Sequence, residues 1–162
     1  YIVTGLGVEG IDWVITEEMT PRHIVVLKIL GPPYEEWTAS YGLFGTDADW
    51  DSDVGDSDGE NNFYEYVLGG DPTNPAVKGQ VPTMETGDGY VDYVHVRRVT
   101  ATNEVTYELA LTESLVAGPW TTNSGYTVIG YGPVVDSFDT VTNRISTLAK
   151  DEQFIKLIID SL

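Results

Sequence analysis

Asp47, Asp49, Asp51, Asp53, Asp56, Asp58, Glu60 and Glu65 lie between Thr46 and Tyr66 with no Lys or Arg among them. Carboxylates at this density repel one another in water, and such a segment on its own stays extended. Asp at alternate positions lets successive side chains of an irregular loop turn toward one centre. A hard divalent cation then reverses the repulsion, since calcium takes about six to eight oxygens from carboxylates, amide carbonyls and backbone carbonyls. Calcium binding is the chemistry these residues point to; a solvated, metal-free acidic loop is the alternative reading.

Coordination register sharpens the expectation. In an EF-hand-type loop the ligands come from the first, third, fifth, seventh, ninth and twelfth positions, with Gly at the sixth and a bidentate acid last. With Glu65 as the twelfth, Asp56 is third, Asp58 fifth and Gly59 sixth. Glu60 then offers its backbone carbonyl and Asn62 its side chain. The first position falls on Val54, which has no side-chain oxygen. Asp53 lies one residue earlier, and bringing it in requires a local bulge, which Gly55 allows. Asp47, Asp49 and Asp51 share the alternate spacing and offer a second, shared site, or a bridge to Asp71.

Two short helices are expected to hold this loop. Pro33 suits the first turn of a helix, Glu35 and Glu36 sit near its N-terminus, and Tyr34, Trp37 and Tyr41 share one face. Asn61 to Leu68 reads as a second helix, with Phe63, Tyr66 and Val67 on its apolar side and Gly69 as its stop. On the N-terminal side, residues 1–30 read as strands: YIVTGL, IDWVIT and HIVVLKIL. On the C-terminal side, strand patterns recur in YVDYVHVRRV, EVTYELALT, YTVIGYG, VVDSFDTV and QFIKLIIDSL. Turns such as AGPW and TTNSG separate them. The expected fold class is therefore all-β: an antiparallel β-sandwich over 81–162, a helix–loop–helix joint over 31–80 and an N-terminal strand group over 1–30.

Composition narrows the function. The 162 residues carry a net charge of −18, from 26 acids against 8 bases, which argues against nucleic acid and against an anionic membrane surface as partners. No apolar run is long enough to insert in a membrane. With no cysteine, disulfides do not stabilise the chain, and a calcium staple suits an extracellular setting. The chain opens at Tyr1, already in strand-like sequence, and is expected to be a processed or excised piece of a longer precursor. Catalysis has little raw material. A Cys/His nucleophile is excluded, and the two histidines, His23 and His95, each read as structural. The acids crowd one loop rather than flanking a cleft, as a glycosidase would require.

The run D-S-D-G-E-N-N-F-Y-E-Y-V-L-G-G-D-P-T-N, from Asp56 to Asn74, resembles the Asp-rich loop-and-helix near the C-terminus of many large secreted proteins of environmental bacteria. In that family a segment like Trp37–Leu43 precedes the loop. A tail like Val105–Leu115 with Gly118-Pro-Trp120, ending like Phe154-Ile-Lys-Leu-Ile, follows it. The resemblance covers roughly residues 32–162. The loop is also similar to dockerin and thrombospondin type 3 calcium loops. The resemblance implies a calcium-stapled, non-catalytic C-terminal module on a secreted or cell-surface protein. Val54, where the family usually has Asp, is the departure.

Two further expectations concern partners. Residues 1–30 supply strands without an evident complete sheet, so self-assembly into a homo-oligomer or fibre by strand exchange is one reading; the severed end of an upstream β-domain is the other. Among Trp13, Trp37, Trp50 and Trp120, Trp50 lies between Asp49 and Asp51, where burial is hard to arrange. It is the first candidate for a polysaccharide-stacking ring, as in an accessory module of a secreted polysaccharide-degrading enzyme.

Overall fold

The computed structural model describes residues 12–18, 24–30, 33–101, 103–116, 118–148 and 151–162, and for the first two segments the backbone alone. The strand expected over 1–6 and the residue His23 lie outside the described residues. Within them the protein is mostly β, built from antiparallel sheets and two short α-helices.

Strands β1 (Asp12–Glu18) and β2 (Ile24–Leu30) pair antiparallel with each other, from Asp12↔Leu30 to Glu18↔Ile24. Helix α1 (Pro33–Ser40) follows, then a single 3₁₀ turn over Gly45–Ala48, the acidic loop and helix α2 (Asn62–Leu68). Pro33 opens α1, as its fixed φ favours. Asn61 stands just outside α2 and caps it, accepting the Tyr64 N–H at 3.0 Å, and Gly69 ends it at φ 84°.

The C-terminal half forms two sheets. One has the order β3-β4-β8-β7, from β3 (Thr83–Gly87), β4 (Tyr90–Arg98), β8 (Phe138–Ser146) and β7 (Thr127–Tyr131). The other has the order β6-β5-β9, from β6 (Thr121–Thr122), β5 (Val105–Thr112) and β9 (Phe154–Ser161). In the central β4–β8 pair, Asp92 faces Arg144 and Arg97 faces Asp139 directly across the ladder. Both are two-pronged: Arg144 donates to Asp92 at 2.8 and 2.7 Å, and Arg97 to Asp139 at 3.1 and 2.6 Å. Because side chains alternate along a strand, these pairs lock the register from opposite faces of the sheet.

Among the described residues, two apolar clusters account for the packing. Tyr93 of β4, Leu109 and Leu111 of β5 and Ile145 of β8 come together with Ile155 and Leu157 of β9, so side chains of both larger sheets meet in one core. The second cluster joins the helices to the β half: Tyr34, Tyr66 and Val67 pack with Ala101 and Val105, flanked by Trp37, Trp50, Phe63, Tyr107 and Ile159. The two helices thus share a core with β5 and β9.

Three observations correct the strand assignments. Thr83–Gly87 and Thr121–Thr122 are strands that the pattern missed, the first exposed along its whole length and the second only two residues long. VVDSFDTV is not one strand. Asp136 and Ser137, at φ 48° and 72°, form a tight reversal, and β8 begins only at Phe138.

Candidate metal centre

The acidic loop is closed by backbone bonds at its own ends. Asn62 N–H donates to the Ser52 carbonyl and Phe63 N–H to the Trp50 carbonyl, each at 2.9 Å, so the chain entering the loop lies against the first turn of α2. Between these ties the loop winds around its own carboxylates. Asp53 accepts the N–H groups of Asp58 at 3.1 Å and Gly59 at 3.0 Å. Asp56 also accepts from Asp58 N–H at 3.2 Å, and Asp58 accepts from Glu60 N–H at 2.7 Å. Two positive φ values make the winding possible, at Ser57 (58°) and Gly59 (93°). Gly55 has a separate reason: a Cβ there would stand 1.9 Å from the carbonyl oxygen of Pro72, so the loop presses on the backbone that follows α2.

This winding brings one carboxylate oxygen each of Asp53, Asp56 and Asp58 within 4.8 Å of one another, a cluster able to hold a metal ion. Asp53 therefore joins the group although it stands one residue before the expected first position, while Val54 points out at 66% exposure. Glu65 of α2, near enough to feel the charges of all three, is only 1% exposed. Its Oε1 is buried and has no hydrogen-bond partner, and neither has Oδ2 of Asp56. A buried carboxylate left this way is costly unless something cationic meets it.

The electrostatics say the same. Burial pushes the Glu65 carboxyl up to about 8, and the charges of Asp56, Asp58, Glu60 and Asp53 push it in the same direction. Burial also raises Asp56, against the pull of its bond from the Asp58 N–H. Asp58 moves the other way, held below the ordinary carboxylate range by the Glu60 N–H and by Lys78. Lys78 Nζ donates to the Asp58 carbonyl at 2.8 Å and lies 3.2 Å from Asp58 Oδ2. Glu60 turns its carboxylate to the same connector, accepting the Gly79 N–H at 2.8 Å. Three aspartates thus converge, with the charges of Glu60 and Glu65 close by and one lysine against them. A divalent cation meets the hardness, the charge and the unused oxygens of this set.

The remaining expected ligand residues stand outside that trio. Asp47, Asp49 and Asp51 are exposed, and their carboxylates form no such trio. Asp47 and Asp49 contribute their backbone carbonyls instead, both accepting from Asn62 Nδ2, at 2.9 and 3.0 Å. Asn62 is 1% exposed, and its Oδ1 is a further buried oxygen without a partner. Asp71 uses Oδ1 to accept from Thr73, N–H at 3.0 Å and hydroxyl at 2.8 Å, which shapes a turn.

Trp50, expected to project from between its acidic neighbours, is half-buried. Its ring stacks on Tyr34 at 3.8 Å between centroids and 8° between planes, with Phe63 edge-on at 5.0 Å. One face of the indole is thereby taken up and is not open to a sugar ring. Tyr34 also donates its hydroxyl to the Ala48 carbonyl at 2.8 Å, adding a second hold on the strand of chain that Asn62 grips.

Residues beyond the loop fix the centre to the sheets. Arg98 at the end of β4 is buried; its Nε donates to the Tyr66 carbonyl at 2.6 Å while its guanidinium lies 4.3 Å over the Tyr66 ring. Tyr107 of β5 donates to the Val67 carbonyl at 2.9 Å. Tyr66 donates to Glu104 at 2.9 Å. Neither Arg98 nor Lys78 was legible as part of the site. Each is remote in sequence from what it touches, and a lone base in an acidic chain carries no positional signal. Compared with protein-family models, characterised proteins and solved structures, the chain finds no match in any of the three.

Proposed function

We propose that this chain is a calcium-stabilised, non-catalytic structural module of a secreted or cell-surface protein. The observation that carries the reading is Glu65: a fully buried carboxylate with an unused oxygen, within the field of three converging aspartates, on the helix that the sheets grip. Asp53, Asp56, Asp58 and Glu65 are the side-chain ligands in this reading, with Glu60 adding its backbone carbonyl and Asn62 its free Oδ1. Calcium fits the all-oxygen set better than zinc, which favours nitrogen and sulfur.

A structural role accords with how the loop is connected. Neutralising the cluster frees α2 to hold its place against Arg98 and Tyr107, so the ion acts on the docking of the helices. The two larger sheets are read as a face-to-face β-sandwich, supported by the shared cluster of Tyr93, Leu109, Leu111, Ile145 and Leu157. A non-catalytic role is supported by His95, which is 5% exposed with its Nδ1 against the Val96 carbonyl, out of reach of a substrate. Self-assembly rests on β1 and β2, which pair with each other and with no further described strand, leaving outer edges for another chain. Sedimentation of the chain in calcium and in EDTA tests the assembly reading. A larger species in calcium supports it, and one size in both, at monomer mass, refutes it.

A further inference from the structure

The connector after α2 does more than lead to the sheets. It folds back on itself, with Asp71 N–H donating to the Val77 carbonyl at 2.9 Å, and is tied to α2 by Gln80 N–H on the Leu68 carbonyl at 2.8 Å. This return lays Lys78 and Gly79 against the acidic loop, twenty residues from Asp58 along the chain. Gly79 is placed by contact: a Cβ there would stand 2.7 Å from Cβ of Leu68. Two donors therefore reach the cluster from one fixed segment, the Gly79 N–H on Glu60 and the Lys78 ammonium on Asp58.

The other bases whose side chains are described are occupied elsewhere. Arg97 and Arg144 hold Asp139 and Asp92, Arg98 is buried against Tyr66, and Lys156 lies 4.5 Å over the Trp120 ring. Lys78 alone among the bases with described side chains contacts the loop acids. Its side chain is half-exposed, whereas that of Asp58 is 2% exposed, so the ammonium covers the carboxylate from the solvent side.

We infer that Lys78 is a tethered counter-ion of the metal centre, holding the loop folded when no metal is bound and setting a weak affinity when one is. The inference rests on the calcium reading above. A fixed positive charge beside Asp58 repels an incoming divalent cation and engages an oxygen the cation needs. The same charge relieves repulsion among Asp53, Asp56 and Asp58 when the site holds only water. Lys78 thereby lowers the difference between metal-bound and metal-free stability.

The test is calcium titration of the full chain by isothermal calorimetry in chelator-stripped buffer, with Lys78→Gln beside the wild type. Gln removes the charge and keeps an N–H donor, on a side chain one atom shorter. The expected result is calcium binding roughly three- to tenfold tighter in Lys78→Gln, with a lower melting temperature in EDTA. Lys78→Met gives the same direction, and Lys78→Arg, which keeps the charge, stays near the wild type. Equal or weaker calcium binding by both neutral variants overturns the role of Lys78 and leaves the calcium reading intact. Absence of binding heat in the wild type overturns the calcium reading, and the inference with it.

Discussion

Trp50 and Tyr34 lie ring on ring, 3.8 Å apart and nearly parallel, and this stack joins the entry of the acidic loop to the first helix. The Trp50 carbonyl meanwhile accepts the Phe63 N–H at 2.9 Å, which joins the same point to the second helix. A residue flanked by Asp49 and Asp51 thus serves as the aromatic keystone of the loop. Trp50→Ala is expected to cost about 2–4 kcal/mol in urea unfolding, in calcium and EDTA alike, since it removes packing rather than a ligand. Trp50→Phe should recover part of that loss. A loss seen only in calcium would mean that the indole acts through the ion.

Glu65→Gln separates charge from shape. In EDTA the substitution removes a buried carboxylate that its neighbours oppose, so the melting temperature should hold or rise. In calcium it removes a ligand, and the calcium-dependent rise in melting temperature should shrink. Asp58→Ala should likewise lower the calcium melting temperature with less effect in EDTA. Equal loss in both buffers would remove these residues from the ligand set.

The pH dependence has a definite sign. Glu65 titrates near 8 in the folded, metal-free protein against 4.5 when unfolded, so the folded state holds a proton that the unfolded state has released. The stability tied to that proton is fully present below about 4.5 and is lost as pH rises through about 8. Metal-free melting temperature should therefore fall as pH rises across this window, and Glu65→Gln should flatten the slope. Calcium should flatten it too, by holding the carboxylate ionised.

His95 works in the opposite direction. Burial holds its imidazole below the ordinary 6.5, with the nearby Arg97 charge adding to the effect. Its contribution to stability is present above about 6.5 and is lost as pH falls through the lower folded value. His95→Gln should weaken the acid-side fall in melting temperature, in calcium and in EDTA. An unchanged acid limb would place the loss on other groups.

Gly55→Ala tests the packing of the loop on the Pro72 carbonyl. With 1.9 Å between the added Cβ and that oxygen, backbone on one side or the other must move. The expected cost is about 1–3 kcal/mol, together with weaker calcium binding as Asp53 and Asp56 shift apart. Wild-type stability in this variant would show that the approach is not tight in solution.

Much of the fold was legible where local chemistry dominates. Pro33, Asn61 and Gly69 mark helix ends through their own backbone preferences, and β4, β5 and β9 follow their apolar patterns. What failed had no such mark. Thr83–Gly87 buries nothing, so it carries no alternation to read, and the reversal at Asp136–Ser137 lacks the glycine that signals one. In the site, the gathering of Asp56 and Asp58 was readable because alternate positions of a loop turn toward one centre. The diversion of Asn62 to the Asp47 and Asp49 carbonyls was not, nor was the return of Lys78, because both depend on how distant backbone is routed.

The central claim is that a calcium ion completes the carboxylate cluster and thereby stabilises the helices on the sheets. Thermal unfolding of the full chain at neutral pH, in millimolar calcium and in EDTA, tests it most directly. Calcium at about a hundred times its dissociation constant adds about 2.7 kcal/mol, a rise of roughly 5–10 °C for a chain of this size. Coincident melting curves in the two buffers would contradict the account.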